Sequence, residues 1–211
     1  MSQIQQLTDC ELNEVAKLLQ EIEIPGLVGE RQTVLYLSQQ LAALKNQEVS
    51  LKIDQRIYRL DKVKKTADTD GVLVKARLEH LSLVMEWIWR FMDIIGEPVS
   101  KEQAAKTEET FIEAGRLFLW EVSVKCVSMA NAARPTAHSI TINFVYTPRE
   151  ERKKGYASSC VSTLSQLMLD SVFQTTSLYT DITNPTSNKI YMDIGYEHVA
   201  DSALVLFHEK K

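Results

Sequence analysis

The chain has 211 residues, 45% of them hydrophobic and 25% charged, and its net charge is −4. This is the composition of an ordinary folded protein with a normal core. The mild acidity argues against nucleic acid, which proteins meet with a basic face, and no apolar run approaches the roughly 18 residues that cross a bilayer.

The first 45 residues read as two helices. Thr8-Asp9-Cys10-Glu11 is a capping-box pattern, followed by Leu12, Val15, Ala16, Leu19 and Ile22 at helical spacing. Pro25 and Gly26 break that helix, and a second begins near Glu30 with Val34, Leu37, Leu41 and Leu44 on one side. Residues 49–63 suggest one or two strands. The polar, turn-forming stretch Lys62–Gly71 is the best candidate boundary, separating an N-terminal α-helical/β extension (1–70) from a second domain (71–211).

Val72–Ala76 is strand-like, and a strong amphipathic helix follows with Leu81, Val84, Met85, Ile88, Phe91, Met92 and Ile95 on one face. Ser100-Lys101-Glu102-Gln103 is a second capping box, opening a helix whose buried side is expected at Ala104, Ala105, Phe111 and Ile112. Residues 116–131 predict two antiparallel strands turning near Ser123–Lys125. Strand His138–Thr147, a charged loop Arg149–Gly155, a helix through Ala157, Val161, Leu164 and Met168, strand Ser177–Ile182 and helix Pro185–Ile194 come next. Asn184 suits that last helix's N-cap, Pro185 its first turn and Gly195 its stop. Tyr196–Ala200 and Ala203–His208 predict a closing hairpin. From residue 72 the order is β-α-α-β-β-β-α-β-α-β-β, an α/β sheet of mixed direction.

Cys10, Cys126 and Cys160 are odd in number and scattered, with no disulfide framework and no ligand spacing, which suits a reducing, cytoplasmic compartment. No basic segment leads into an apolar run at the N-terminus, so no signal peptide is expected. The histidines form no cluster with carboxylates, and no metal is expected.

The chemistry concentrates in one place. Val145-Tyr146-Thr147-Pro148 ends a strand, Arg152-Lys153-Lys154 is a basic turn, and a helix starts at Gly155-Tyr156-Ala157. Unpaired amides and the dipole at such a helix start favour a diphosphate. Gly155 lets the backbone approach it closely. The stretch resembles the acyl-CoA pyrophosphate motif of the GNAT acetyltransferases, Gln/Arg-x-x-Gly-x-Gly/Ala. The downstream segments Leu178–Asp181, Asn184-Pro185-Thr186-Ser187-Asn188-Lys189-Ile190-Tyr191 and Ile194-Gly195-Tyr196 are similar to that superfamily's second half, nearest its FR47-like, glycine N-acyltransferase-like branch.

The resemblance implies the GNAT acyl-CoA N-acyltransferase fold, a mixed twisted sheet with flanking helices, and an N-acetyltransferase using acetyl-CoA. Phe144, Val145 and Tyr146 would pair with the pantetheine arm. The amides of Arg152, Lys153, Lys154, Gly155, Tyr156 and Ala157 would hold the pyrophosphate. Asn184 and Asn188 match cofactor-contacting positions, and Tyr191 matches the general acid. Some relatives carry a glutamate base on the fourth strand, but Ser139-Ile140-Thr141-Ile142-Asn143 has no carboxylate. Glu121, His138, or water oriented by Asn143 or Thr141 stay open as the base. The acceptor would be a small-molecule amine or a peptide amine, and residues 1–70 would lid the acceptor site or form a homodimer contact. A non-catalytic acyl-CoA-binding or regulatory module on the same fold is the alternative.

Overall fold

The computed structural model describes residues 7–210. The polar, leaderless reading of the first six residues lies outside them. The chain forms two compact units: residues 1–57, 179–185 and 198–211 make the first, and residues 58–178 and 186–197 the second.

In the first unit, helix α1 (Asp9–Leu19) starts at the expected capping box. The Glu11 carboxylate accepts the Thr8 N–H at 2.7 Å, and Thr8 Oγ1 accepts the Glu11 N–H at 3.3 Å. Helix α2 (Arg31–Lys45) ends on Asn46 in the left-handed region. Val34, Leu37 and Leu41 are buried as expected, whereas Leu44 is exposed. Between the helices lies a strand the sequence reading lacks, β1 (Gly26–Glu30). Five residues carry no readable period. β1 is a strand because it pairs antiparallel with β8 (Glu197–Glu209), from Gly26 opposite Leu206 to Glu30 opposite Ser202. The same partner corrects the closing hairpin: β8 is one strand, with no Gly, Pro or Asn between its halves to turn the chain. Residues 49–63 are likewise one strand, β2 (Gln47–Leu60). Its Asp54 takes a two-pronged bond from Arg31 at 2.8 and 3.1 Å.

The second unit holds β3 (Val72–Lys75), α3 (Leu81–Ile94), α4 (Lys101–Glu113), β4 (Leu117–Val122), β5 (Lys125–Ala133), β6 (Ser139–Tyr146), α5 (Tyr156–Leu169), the start of β7 (Thr175–Asp181) and most of α6 (Pro185–Ile194). Its strands lie in the order β7-β6-β5-β4-β3. All neighbours are antiparallel except β6 and β7, so the sheet is mixed. Ser123 and Val124, with φ of 47° and 68°, make the two-residue turn between β4 and β5.

Strand alternation divides the core. Leu117, Leu119 and Met129 pack with Val84, Trp87, Ile88 and Ala104 of α3 and α4. Trp120, Ala130 and Ala132 belong to the cluster that holds Cys160, Val161 and Leu164 of α5. The helices therefore flank both faces. Residues 62–71 form no regular element, yet they are fastened down: the Lys64 N–H donates to the Ile194 carbonyl at 2.8 Å, and the Trp120 ring N–H to the Asp70 carbonyl at 3.1 Å. Gly195 closes α6 at φ 118°, where an added Cβ would come within 2.9 Å of Lys64 Cγ. No helix among the described residues is long and apolar enough to cross a membrane.

Candidate functional site

The site begins with a fault in the sheet. Met129 pairs with Tyr146 and Asn131 with Asn143, so Phe144 and Val145 stand against the single residue Ala130. Two against one is a β-bulge. Phe144 takes φ 49°, a left-handed conformation that costs a side-chain-bearing residue roughly 1–2 kcal/mol. It is held by ring contacts with Phe91 of α3 at 5.1 Å and Phe111 of α4 at 4.9 Å. On the other side of β6 the parallel ladder with β7 runs from Ser139 opposite Thr175 to Ile142 opposite Leu178. Tyr146 itself turns toward β5: it is buried, and its carbonyl accepts from Ser128 Oγ at 3.1 Å.

A charged turn then leads into α5. Glu151 is 7% exposed and accepts from Lys125 Nζ at 2.5 Å and Lys154 Nζ at 2.8 Å. Those hydrogen bonds, from Lys125 first, hold its carboxyl below the ordinary value. Arg152 is committed as well, its Nε donating to the Thr147 carbonyl at 2.9 Å. Lys153, at φ 63°, forms no ion pair among the described residues. Of the three basic residues, one braces the turn, one braces Glu151, and one is left to add charge.

Gly155 is the N-cap of α5, at φ 84°. The helical ladder starts with the Ser159 N–H donating to the Gly155 carbonyl at 3.0 Å. The amides of Gly155 through Ser158 therefore precede it and point out of the helix end. Space there is tight: a Cβ on Gly155 would lie 2.8 Å from Thr69 Cγ2 and 3.6 Å from Asp68 Oδ1. Thr69 Oγ1 in turn donates to Ser159 Oγ at 2.8 Å. The Asp68 charge is met by Lys65 at 2.8 Å, which holds its carboxyl below the ordinary value.

Tyr191 lies on α6, 8% exposed, with its ring edge-on to Tyr196 at 6.1 Å. Burial first, then Tyr196 and Cys160, push its phenol well above the ordinary value, so it keeps its proton at neutral pH. The Tyr196 hydroxyl is tied to Ser165 and Thr176, each at 2.8 Å. Asn188 is 4% exposed and accepts from the Tyr58 hydroxyl at 3.0 Å, so it is a buried helix residue rather than a solvated one. Asn184 belongs to the first unit, where its N–H donates to the Asp181 carbonyl at 3.1 Å. Glu121 sits at the β4 bulge between Val72 and Cys126, and its side chain makes no hydrogen bond or ion pair among the described residues.

Two features escaped the sequence reading. Asn131 Nδ2 donates to Asn143 Oδ1 at 2.9 Å across the bulge, leaving the buried Asn131 Oδ1 without a hydrogen-bond partner among the described residues. The signal was an amide inside the small, apolar run Val127–Ala133. The other is Glu108, a carboxyl side chain only 3% exposed. It lies four residues beyond buried Ala104, on the stripe a helix turns inward.

The fold recurs in solved structures. An acetyltransferase of the GNAT family from Colwellia psychrerythraea is similar over 100% of this chain and 75% of its own, with 15% identity and a TM-score of 0.66. The chain has the GNAT fold. AAC(6')-Iy, solved with a bisubstrate analogue, CoA-S-monomethyl-acetylneamine, is similar over 61% of this chain and 92% of its own, with 14% identity and a TM-score of 0.50. A predicted acetyltransferase from Clostridium acetobutylicum, solved with acetyl-CoA, is similar over 62% and 92%, with 16% identity and a TM-score of 0.50. Residues 127–205 match the family described as FR47-like protein. No curated protein matches the sequence. The matched segment of this GNAT-fold chain runs from β5 to β8 and takes in the bulge, the Gly155 turn and Tyr191.

Proposed function

We infer that the chain is an acyl-CoA-dependent N-acetyltransferase that moves an acetyl group from acetyl-CoA to a primary amine in a ternary complex. The observation that carries this is the β6 bulge at Phe144 and Val145, ahead of a helix started by left-handed Gly155. A bulge leaves backbone groups out of its ladder, which suits the amide-bearing pantetheine arm, and outward amides at a helix start suit a diphosphate. The amides of the turn precede the helical ladder and so can meet such a group, while the glycine is required by the chain's own Thr69, which a Cβ would crowd.

Acetyl-CoA supplies the activated thioester. Phe144 and Val145 orient the pantetheine, while the amides of Arg152 through Ala157, with the charge of Lys153, hold the pyrophosphate. Tyr191 keeps a proton for the sulfur that leaves as the amine nitrogen bonds to the acyl carbon. An alkylammonium near pKa 10.4 must first lose its own proton. With no carboxylate between Ser139 and Tyr146, that proton goes to water held by the Asn131–Asn143 pair, with Glu121 the remaining candidate base. Asn188 acts through α6 and Asn184 from the turn before it. That AAC(6')-Iy binds an acetylated aminoglycoside joined to CoA supports an amine acceptor here.

Titrating acetyl-CoA by calorimetry into wild type, Lys153→Glu and Gly155→Glu tests the cradle. Binding should weaken about tenfold or more in each, and unchanged binding in both sinks the assignment. Amine-dependent release of free CoA should fall about 10²-fold in Tyr191→Phe with little change in KM for acetyl-CoA. The missing β6 carboxylate favours one rival, a binding module. Tight acetyl-CoA binding without turnover across a broad amine panel would establish it. Solution mass of the full chain across a range of concentrations tests the homodimer contact.

A further inference from the structure

Helices α3 and α4, with Leu78 before them, line a cavity of about 350 Å3 that is half open to solvent, a volume within the range of small-molecule sites. Leu78, Leu81 and Met85 form one wall, and Ala105 and Ile112 much of the other. The remaining charged lining is acidic: Glu108, Glu109 and Glu113, with no basic residue among those that line it. The residues contributed by α4 are spaced by three and four, so one helix face carries both the apolar and the acidic groups.

Glu108 makes this more than an acidic cluster on an apolar groove. It is 3% exposed, and its Oε1 has no hydrogen-bond partner among the described residues. Buried polar atoms are nearly always paired, and a buried carboxylate without a partner is costly. Burial, with Glu109 adding to it, pushes the Glu108 carboxyl up to about 7. A cation against the carboxyl would offset the cost of its buried charge.

We propose that this cavity binds an amphiphilic ammonium ion, a primary amine on a short alkyl body. The ammonium donates to Glu108, Glu109 and Glu113 supply further negative charge, and the alkyl chain packs on Leu81, Met85 and Ile112. An anion is disfavoured by three carboxylates. A neutral apolar molecule would leave Glu108 unsatisfied. The site is built from residues other than the cradle at Arg152–Ala157, and it stands or falls without the transfer reading.

The test titrates n-hexylammonium chloride into the full chain by calorimetry near neutral pH, without acetyl-CoA, with n-hexanol and n-hexanoate as separate probes. Hexylammonium should bind saturably, and the alcohol and the carboxylate about tenfold more weakly or not at all. Glu108→Gln keeps the shape, removes the charge and should weaken hexylammonium about tenfold. Ser82→Trp, at an exposed rim position, should block it while circular dichroism stays that of wild type. Hexanol binding as tightly as hexylammonium would overturn the proposal, as would unchanged affinity in Glu108→Gln or the absence of saturable binding to the wild type.

Discussion

Replacing Gly155 by Ala puts a methyl group into the tightest part of the cradle. At φ 84° an alanine pays for a left-handed backbone, roughly 1–2 kcal/mol. Loss of backbone freedom in the unfolded chain returns about 0.4–1 kcal/mol of that. The new Cβ would also lie 2.8 Å from Thr69 Cγ2, and overpacking of this kind costs about 1–3 kcal/mol. Thr69 cannot rotate away without giving up its hydroxyl bond to Ser159 at 2.8 Å. The net expectation is a loss of about 2 kcal/mol, or about 4–8 °C in Tm for a chain of this size. Thr69→Ser removes the offending methyl and keeps the hydroxyl, so in that background Gly155→Ala should cost only about 1 kcal/mol. Urea unfolding of the four proteins yields the coupling directly. Additivity within about 0.3 kcal/mol would mean that Thr69 does not pack on the helix start, and the steric account of the cradle would be refuted.

Other expectations follow from buried groups. Cys160 is fully buried and its thiol is pushed up to about 12, whereas Cys10 is exposed. A thiol reagent at pH 8 should modify Cys10 quickly and Cys160 only after unfolding, and equal rates would contradict the burial. Glu151 is held below its ordinary value by Lys125 and then Lys154. Its contribution is therefore present above the unfolded value near 4.3 and lost as pH falls through the lower folded one. Urea midpoints measured from pH 7 to pH 3 should show wild type losing an advantage over Glu151→Gln as the pH drops, and parallel curves would count against the pairing. Glu108 has the opposite sign: with its folded value raised to about 7, its carboxyl destabilises the fold as pH rises through that value. Glu108→Gln should accordingly gain more stability over wild type at pH 8 than at pH 5, and an equal difference at both would refute the shift.

What the sequence by itself determined is local. The capping boxes at Thr8 and Ser100 start the helices the structure contains, because the Ncap and N3 groups bond within three residues. The Ser123–Val124 turn and the Gly155 helix start are equally self-contained, needing only left-handed residues at given places. The residues by themselves gave an α/β sheet of mixed direction, and the GNAT fold was implied by the resemblance of the motifs between Arg152 and Tyr196 to that superfamily. Tertiary structure decided what depends on a distant partner. β1 exists because β8 pairs with it, and β8 stays whole where its own sequence suggested a hairpin. Asn188, expected as a cofactor-contacting position, is buried with the Tyr58 hydroxyl against it, and Glu108, which no local signal marks, is buried between packed helices. The Gly155 turn and helix start could be read along the chain because helix starts and turns are short-range chemistry. The acidic cavity could not, because its walls come from two helices and burial belongs to their packing rather than to either sequence.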